Sequence, residues 1–165
     1  MSRIIEARTL VKNFGANRAI AGLSFDVSEG EIYGVVGPDG AGKTTTVRLI
    51  SGVMDSDSGS VSVGGFDVHK DINKIRNIIG YMPQRFSLYE DLSVEENINF
   101  FADLYSVTGR ERETHVRDLY KFSRLEEFKN RLALNLSGGM QKKLALTCAL
   151  INFPRILILD EPTIG

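Results

Sequence analysis

Cysteine is almost absent from this chain: Cys148 stands alone, so no disulfide can close within it. That excludes a small extracellular scaffold stapled by disulfides and fits a reducing compartment. Cys148 lies in the apolar run Leu144-Ala145-Leu146-Thr147-Cys148-Ala149-Leu150, where a small buried hydrophobe is expected rather than a reactive thiol. Long hydrophobic runs are missing too. No stretch approaches the roughly 18 continuous apolar residues of a membrane span, and Met1-Ser2-Arg3-Ile4-Ile5-Glu6 has no signal-peptide core. The chain is not expected to cross a bilayer by itself, which leaves open docking on a protein that does. A surplus of one charge sign is the third absence: 20 Lys and Arg stand against 21 Asp and Glu, a net charge of −1. A nucleic-acid binder usually carries a basic excess, so no nucleic acid is expected as a partner, a local basic patch aside. There is no internal repeat and no low-complexity segment. With 165 residues, 42% hydrophobic and 25% charged, the composition is that of one ordinary globular domain.

What is present begins with strands. Ile4, Ile5 and Ala7 fit a short first strand. Residues 19–27 alternate loosely up to the turn signal Ser28-Glu29-Gly30. Glu31-Ile32-Tyr33-Gly34-Val35-Val36 is apolar from Ile32 onward and reads as a buried strand entering a glycine-rich loop. Residues 43–51 read as a helix stopped by Gly52. The turn Asp55-Ser56-Asp57-Ser58-Gly59 precedes an alternating strand at 60–63, and 78–82 is a further strand ended by Pro83. From Ser93 to Leu150 the pattern is mostly helical. Ser93-Val94-Glu95-Glu96 is a capping box, followed by Val94, Ile98, Phe101 and Tyr105 on one apolar helix face, read as core. Residues 110–122 continue as a more polar helix. Ile156-Leu157-Ile158-Leu159 reads as a buried strand ending in Asp160. Strand, glycine loop, helix, helical insert and acid-tipped strand together imply an α/β nucleotide-binding fold.

Gly37-Pro38-Asp39-Gly40-Ala41-Gly42-Lys43-Thr44 matches G-x-x-x-x-G-K-[ST] at every fixed position. Glycines let the backbone curl so that N–H groups converge on phosphates. The helix that follows presents its positive end to the same anion. Lys43 adds a full charge to the outer phosphates, and Thr44 offers a hydroxyl to Mg²⁺, with Thr45 behind it. The loop therefore predicts a nucleoside triphosphate, Mg-ATP, as ligand. An aspartate at a buried strand tip, Asp160, is a Mg²⁺ ligand candidate. Its neighbour Glu161 is a general-base candidate for the attacking water. Alone, a hydrophobic run followed by Asp-Glu reads equally as a solvated strand end. Beside the loop motif it points to phosphoryl chemistry.

Between those motifs lies Leu136-Ser137-Gly138-Gly139-Met140, which resembles the signature motif of ABC-type ATPases. Ser137 precedes Asp160 by 23 residues, and Gln84 follows Lys43 by 41, where that family has its Q-loop. Phe14, in Lys12-Asn13-Phe14-Gly15, falls where the family has an adenine-stacking aromatic. Glu161-Pro162-Thr163-Ile164-Gly165 opens like its D-loop. The resemblance spans essentially the whole chain. Asp39, Phe86-Ser87-Leu88-Tyr89-Glu90-Asp91-Leu92 and Met140 in place of the signature glutamine are most like ATPase subunits of bacterial drug or efflux exporters.

The resemblance implies a RecA-like phosphate-loop core at 1–84 and 154–165, with an N-terminal antiparallel β part and a helical subdomain at 85–153. It implies ATP and Mg²⁺ as cofactors, with Thr44, Gln84 and Asp160 as metal ligands and Glu161 as catalytic base. It implies a head-to-tail dimer in which Ser137, Gly138 and Gly139 face the nucleotide held by the partner's phosphate loop. It further implies a membrane subunit docked near residues 86–89 and the helix after Ser93, at the cytoplasmic face of the inner membrane. The family also continues past the position of Gly165, to the rest of the D-loop, a switch histidine that neither His69 nor His115 replaces, and a strand beside that of Asp160. These 165 residues are thus expected to be a truncated piece without competent turnover, the C-terminal part of the fold being missing.

Each role has an alternative. Residues 137–139 could be a cap and a turn, Gln84 a loop residue and Phe14 a core aromatic. For the whole chain, a non-transport ABC-type ATPase, a module that binds nucleotide without cleaving it, or an unrelated phosphate-loop kinase or GTPase are the other readings. The last lacks an Asn-Lys-x-Asp guanine motif.

Overall fold

The structure, a computed structural model, describes residues 2–84 and 88–162. Phe86 and Ser87 of the expected docking segment, and Thr163, Ile164 and Gly165 of the D-loop-like end, lie outside the described residues. The chain divides into two compact units, Met1–Ile78 and Ile79–Gly165.

The first unit is built on a four-stranded antiparallel sheet. Its strands are β1 (Arg3–Phe14), β2 (Asn17–Ser28), β3 (Ser58–Val63) and β4 (Phe66–Asp67), in the order β2-β1-β3-β4. Ile5 pairs with Val27 on one side and Val63 on the other, so three buried side chains form one row across the sheet. Such cross-strand rows are the unit of sheet stability. Helix α1 (Lys43–Ile50) buries Val47, Leu49 and Ile50, each contributing about 1.5–3 kcal/mol of apolar burial. A short α2 (Ile72–Arg76) follows β4 and buries Ile75.

Two strand expectations are corrected here. The first strand runs 12 residues, well beyond Ala7. Its alternation breaks at Arg8-Thr9, where the register slips and Thr9 takes a φ of 46°. A bulge of this kind hides the continuation from a period-two reading. Residues 31–36 form no strand at all, and Ile32 and Val36 are 100% and 95% exposed. An apolar run becomes a strand only where another strand offers a hydrogen-bonding edge, and among the described residues none pairs with this one. Tyr33 alone finds an aromatic partner, stacking on Phe25 at 5.3 Å.

The second unit joins a parallel pair to a helical cluster. Strand β5 (Ile79–Met82) pairs in register with β6 (Ile156–Leu159), Ile79 opposite Ile156 and Met82 opposite Leu159. Between them run α3 (Val94–Leu104), α4 (Gly109–Ser123) and α5 (Gly138–Ala149). The core gathers Val94, Ile98, Ala102, Leu119, Leu125, Leu144, Cys148 and Ile151, with Phe101 and Tyr105 packed against it. Burial pushes the Cys148 thiol up, out of reach of ionisation, which fits an inert hydrophobe. The expected capping box forms: Ser93 Oγ accepts from Glu96 N–H at 3.2 Å and Glu96 accepts from Ser93 N–H at 2.7 Å. β6 is only half buried, against expectation. Ile156 and Ile158 face inward, while Leu157 and Leu159 are exposed, because among the described residues the strand is paired on one side only. Gly80 lets the chain pass closely over β5. A Cβ there would lie 2.3 Å from Ala149 O and 2.8 Å from the Pro154 ring.

Candidate functional site

In the first unit, residues 37–42 turn into the N-terminus of α1. Gly42 is the N-cap, with φ 89°, and a Cβ there would lie 2.7 Å from both Ala19 O and Ile20 Cδ1. Only glycine fits that close approach in that conformation. The loop therefore rests on β2, where the ladder slips between Lys12 and Asn13 and passes over Ala19. A turn closes over Asp39 and Gly40, Ala41 N–H donating to Pro38 O at 3.2 Å, and Gly40 is left-handed with φ 78°. The Lys43 ammonium folds back on its own loop, donating to Gly37 O at 2.9 Å and Pro38 O at 3.0 Å, with the Asp39 carboxylate 3.8 Å away. Thr44 and Thr45 sit half-buried in the first turn of α1. No acidic side chain occupies that turn, so nothing on the helix itself neutralises its positive end. Helix geometry leaves the first N–H groups without an intrahelical acceptor, and an anion is their natural partner.

Phe14 ends β1, paired with Asn17 across the hairpin, and is 48% exposed. A core role for the ring does not hold. Lys12 brings its ammonium to 5.9 Å from the ring centroid. Lys12 also pairs with Ile20, against which Gly42 packs, so platform and loop are joined through β2. One contributor escaped the sequence reading. Asp57, read there only as part of a turn, has its carboxylate on Lys12 and Asn13.

In the second unit, the parallel register sets the acidic site. Asp160 N–H donates to Met82 O at 2.9 Å, extending the β5–β6 ladder by one bond, and Asp160 is buried. The next residues along each strand then meet: Gln84 Nε2 donates to Glu161 Oε2 at 2.7 Å. Gln84, Asp160 and Glu161 are thus brought together at the same end of the pair.

Ser137 caps α5. Its Oγ accepts from Met140 N–H at 3.3 Å and its carbonyl from Gln141 N–H at 2.8 Å. Gln141 Nε2 reaches back to Ala133 O at 3.1 Å, tying the helix start to the preceding turn. Met140 packs on the helical core, a use of this position that needs no polar group. Gly138 and Gly139 are exposed, lack positive φ, and would meet nothing within 4 Å if given a Cβ. Among the described residues nothing requires glycine at either position, although glycine weakens a helix by about 1 kcal/mol relative to alanine.

A glycine cradle opening a helix against a β-sheet, with an acid-tipped parallel strand pair, defines a phosphate-loop nucleotide-binding protein. The family model described as ABC transporter matches residues 20–164, and the chain belongs to that family. It is 50% identical over 147 residues to the "Probable multidrug ABC transporter ATP-binding protein YbhF" of Escherichia coli (strain K12), covering 89% of this chain and 25% of that protein. It is 35% identical to the linearmycin resistance ATP-binding protein LnrL of Bacillus subtilis (strain 168), covering 98% of this chain and 52% of that one. The chain therefore spans a quarter to about half the length of these relatives. Among solved structures, an ATP-binding subunit of an ABC transporter superposes with TM-score 0.89 at 30% identity, over 98% of this chain and 68% of that one. A dimeric post-hydrolysis state of an ATP-binding cassette bound to ADP and Pi gives 0.84 at 27%, over 96% and 74%. The fold is that of the ABC ATPase domain, and the family resemblance to drug and efflux transporter subunits expected from the sequence holds.

Proposed function

We propose that this chain is the ATP-binding part of a subunit that hydrolyses Mg-ATP to drive export through a separate membrane subunit. The observation that carries the reading is the loop at 37–44: a left-handed Gly42 seated on β2, the Lys43 ammonium folded over the loop carbonyls, and a first helical turn without acid. Lys43 exchanges its loop carbonyls for phosphate oxygens when nucleotide binds, and the N–H groups of Gly40 and of residues 42–45 take the rest of the anion. Phe14 stacks on the adenine.

The Thr44 hydroxyl, the Asp160 carboxylate and the Gln84 amide oxygen are hard oxygen donors, the chemistry Mg²⁺ selects. Thr44 in the first unit, and Asp160 with Gln84 in the second, are the proposed ligands of the ion, which would supply charge neutralisation to the outer phosphates. Glu161 accepts the proton of the attacking water, and Gln84 orients that carboxylate through its amide.

Two copies pair head to tail, with Ser137, Gly138 and Gly139 of one against the nucleotide of the other. The two glycines with open space above them support this reading, since backbone can approach a phosphate there without obstruction. The exposed Tyr89–Phe100 pair, 4.5 Å between centroids, lies on the surface assigned to the membrane subunit. Attachment is peripheral, at the cytoplasmic face of the inner membrane; among the described residues no helix is long and apolar enough to cross a membrane.

The test is co-purification of the full-length protein from detergent-solubilised membranes. A polytopic membrane protein that raises its ATPase rate supports the reading, and a nucleic acid as the retained partner contradicts it.

A further inference from the structure

We infer that Asp57 is the positioning residue of the nucleotide-base platform, holding the strand end that presents Phe14 to a purine base. This rests on the reading of Phe14 as that platform. Phe14 has little to fix it directly, since its ring is exposed and its own strand partner is the hairpin residue Asn17. The three residues before it are instead gripped from a single position. Asp57 N–H donates to Val11 O at 2.9 Å. Asp57 Oδ1 accepts from the Lys12 ammonium at 3.0 Å, and Lys12 donates as well to Asp55 O at 2.7 Å. Asp57 Oδ2 accepts from Asn13 N–H at 2.7 Å and from Asn13 Nδ2 at 3.0 Å.

One carboxylate thus takes three donors from two consecutive residues, which fixes both the backbone direction at Asn13 and the ammonium beside the Phe14 ring. Charge-assisted bonds of this kind are about twice as strong as neutral ones. The location matters as much as the number. Asp57 sits in the connection between the end of α1 and the start of β3. The segment leaving the phosphate-binding helix is therefore the segment that holds the base platform. None of these bonds covers apolar core, so their effect falls on where the ring points rather than on whether the sheet forms.

The consequence is selective: loss of Asp57 weakens recognition of the base and leaves recognition of the phosphates alone. The experiment is equilibrium dialysis of the full-length protein against Mg-ATP and against inorganic tripolyphosphate with Mg²⁺, for wild type, D57A, D57N, F14A and F14A/D57A. Base stacking on an aromatic is worth about 1–3 kcal/mol, so F14A should weaken ATP roughly five- to hundredfold. D57A should weaken ATP by about threefold or more, and by no more than F14A does, with tripolyphosphate binding unchanged. D57N, which keeps an acceptor for Asn13 but loses the ion pair, should fall between wild type and D57A. The double variant should be no weaker than F14A.

Equal losses for ATP and tripolyphosphate in both Asp57 variants overturn the inference, since they would mean general damage to the unit. So does a D57A loss that adds in full to that of F14A. If F14A costs affinity and D57A does not, this inference alone fails. If F14A itself leaves ATP affinity unchanged, the platform reading fails first.

Discussion

Gln84 and Glu161, 77 residues apart, meet in a hydrogen bond of 2.7 Å from the Gln84 amide to the Glu161 carboxylate. The in-register pairing of β5 with β6 makes this contact, because the chain leaves Met82 and Leu159 side by side. A carboxylate oriented by an amide N–H is placed to receive a proton from water. Glu161→Gln in the full-length protein should keep ATP binding and lower steady-state phosphate release by about a hundredfold or more. An unchanged turnover number would remove Glu161 from its assigned role.

The open glycines of α5 make a prediction with opposite signs for two measurements. Gly138→Ala and Gly139→Ala should each raise thermal stability or leave it unchanged, since alanine favours a helix by up to about 1 kcal/mol and the added methyl meets nothing. The same substitutions should reduce ATP-dependent dimerisation, read by sedimentation with the Glu161→Gln background to prevent turnover. A loss of folding stability together with normal dimerisation would show that these glycines serve the chain internally.

Asn97 organises the start of the exposed aromatic surface. It is fully buried, accepts from Tyr89 N–H at 3.0 Å and donates to Tyr89 O, Leu92 O and Ser93 O. Asn97→Leu takes the acceptor from the Tyr89 N–H, while the three carbonyls keep backbone donors in Leu92, Ala133 and Asn97 N–H, and should cost about 1–3 kcal/mol of unfolding free energy. Tyr120 behaves oppositely. Among the described residues its hydroxyl is buried without a hydrogen-bond partner, and burial, with Glu95 and Glu126 nearby, pushes its ionisation up. Tyr120→Phe should be neutral or stabilising by about 1 kcal/mol in urea unfolding. Destabilisation by Tyr120→Phe beyond that would contradict an unsatisfied hydroxyl.

The capping box at α3 carries a pH signature. The Ser93 backbone N–H, and next its hydroxyl, hold the Glu96 carboxyl below the usual carboxylate range. A folded pKa below the unfolded one means the contribution is complete above the unfolded value, near about 4.3, and is lost as pH falls through the folded value. The stability difference between wild type and Glu96→Gln should therefore be constant at neutral pH and shrink only in acid. A difference that grows on acidification would reverse the sign. Ser93→Ala should cost about 1 kcal/mol at neutral pH.

Local chemistry was legible and pairing was not. The loop at 37–44 and the Ser93–Glu96 box carry their own instructions, since glycine, lysine and capping residues act on neighbours a few positions away. The apolar run at 31–36 carries no information about which strand it would join, so its hydropathy suggested burial where Ile32 and Val36 lie open. The alternation in β1 stops at Thr9, where a bulge breaks it, so the period-two pattern covers only the first part of the strand. Asp57 looked like any turn aspartate, because its partners Lys12 and Asn13 are more than forty residues away in sequence. The same holds for Gln84 and Glu161, which the resemblance assigned separate roles and only the strand register brings into contact.

The central claim is that the loop between Gly37 and Thr44 gathers a triphosphate through inward amides and one ammonium. The most direct measurement is the affinity of Lys43→Ala for Mg-ATP and for tripolyphosphate, by equilibrium dialysis, with folding checked by circular dichroism. The account predicts a folded protein that has lost at least about tenfold in affinity for both, as removal of a desolvated charge contact of about 1.5–3 kcal/mol requires. A folded Lys43→Ala protein with wild-type affinity for both ligands would contradict it.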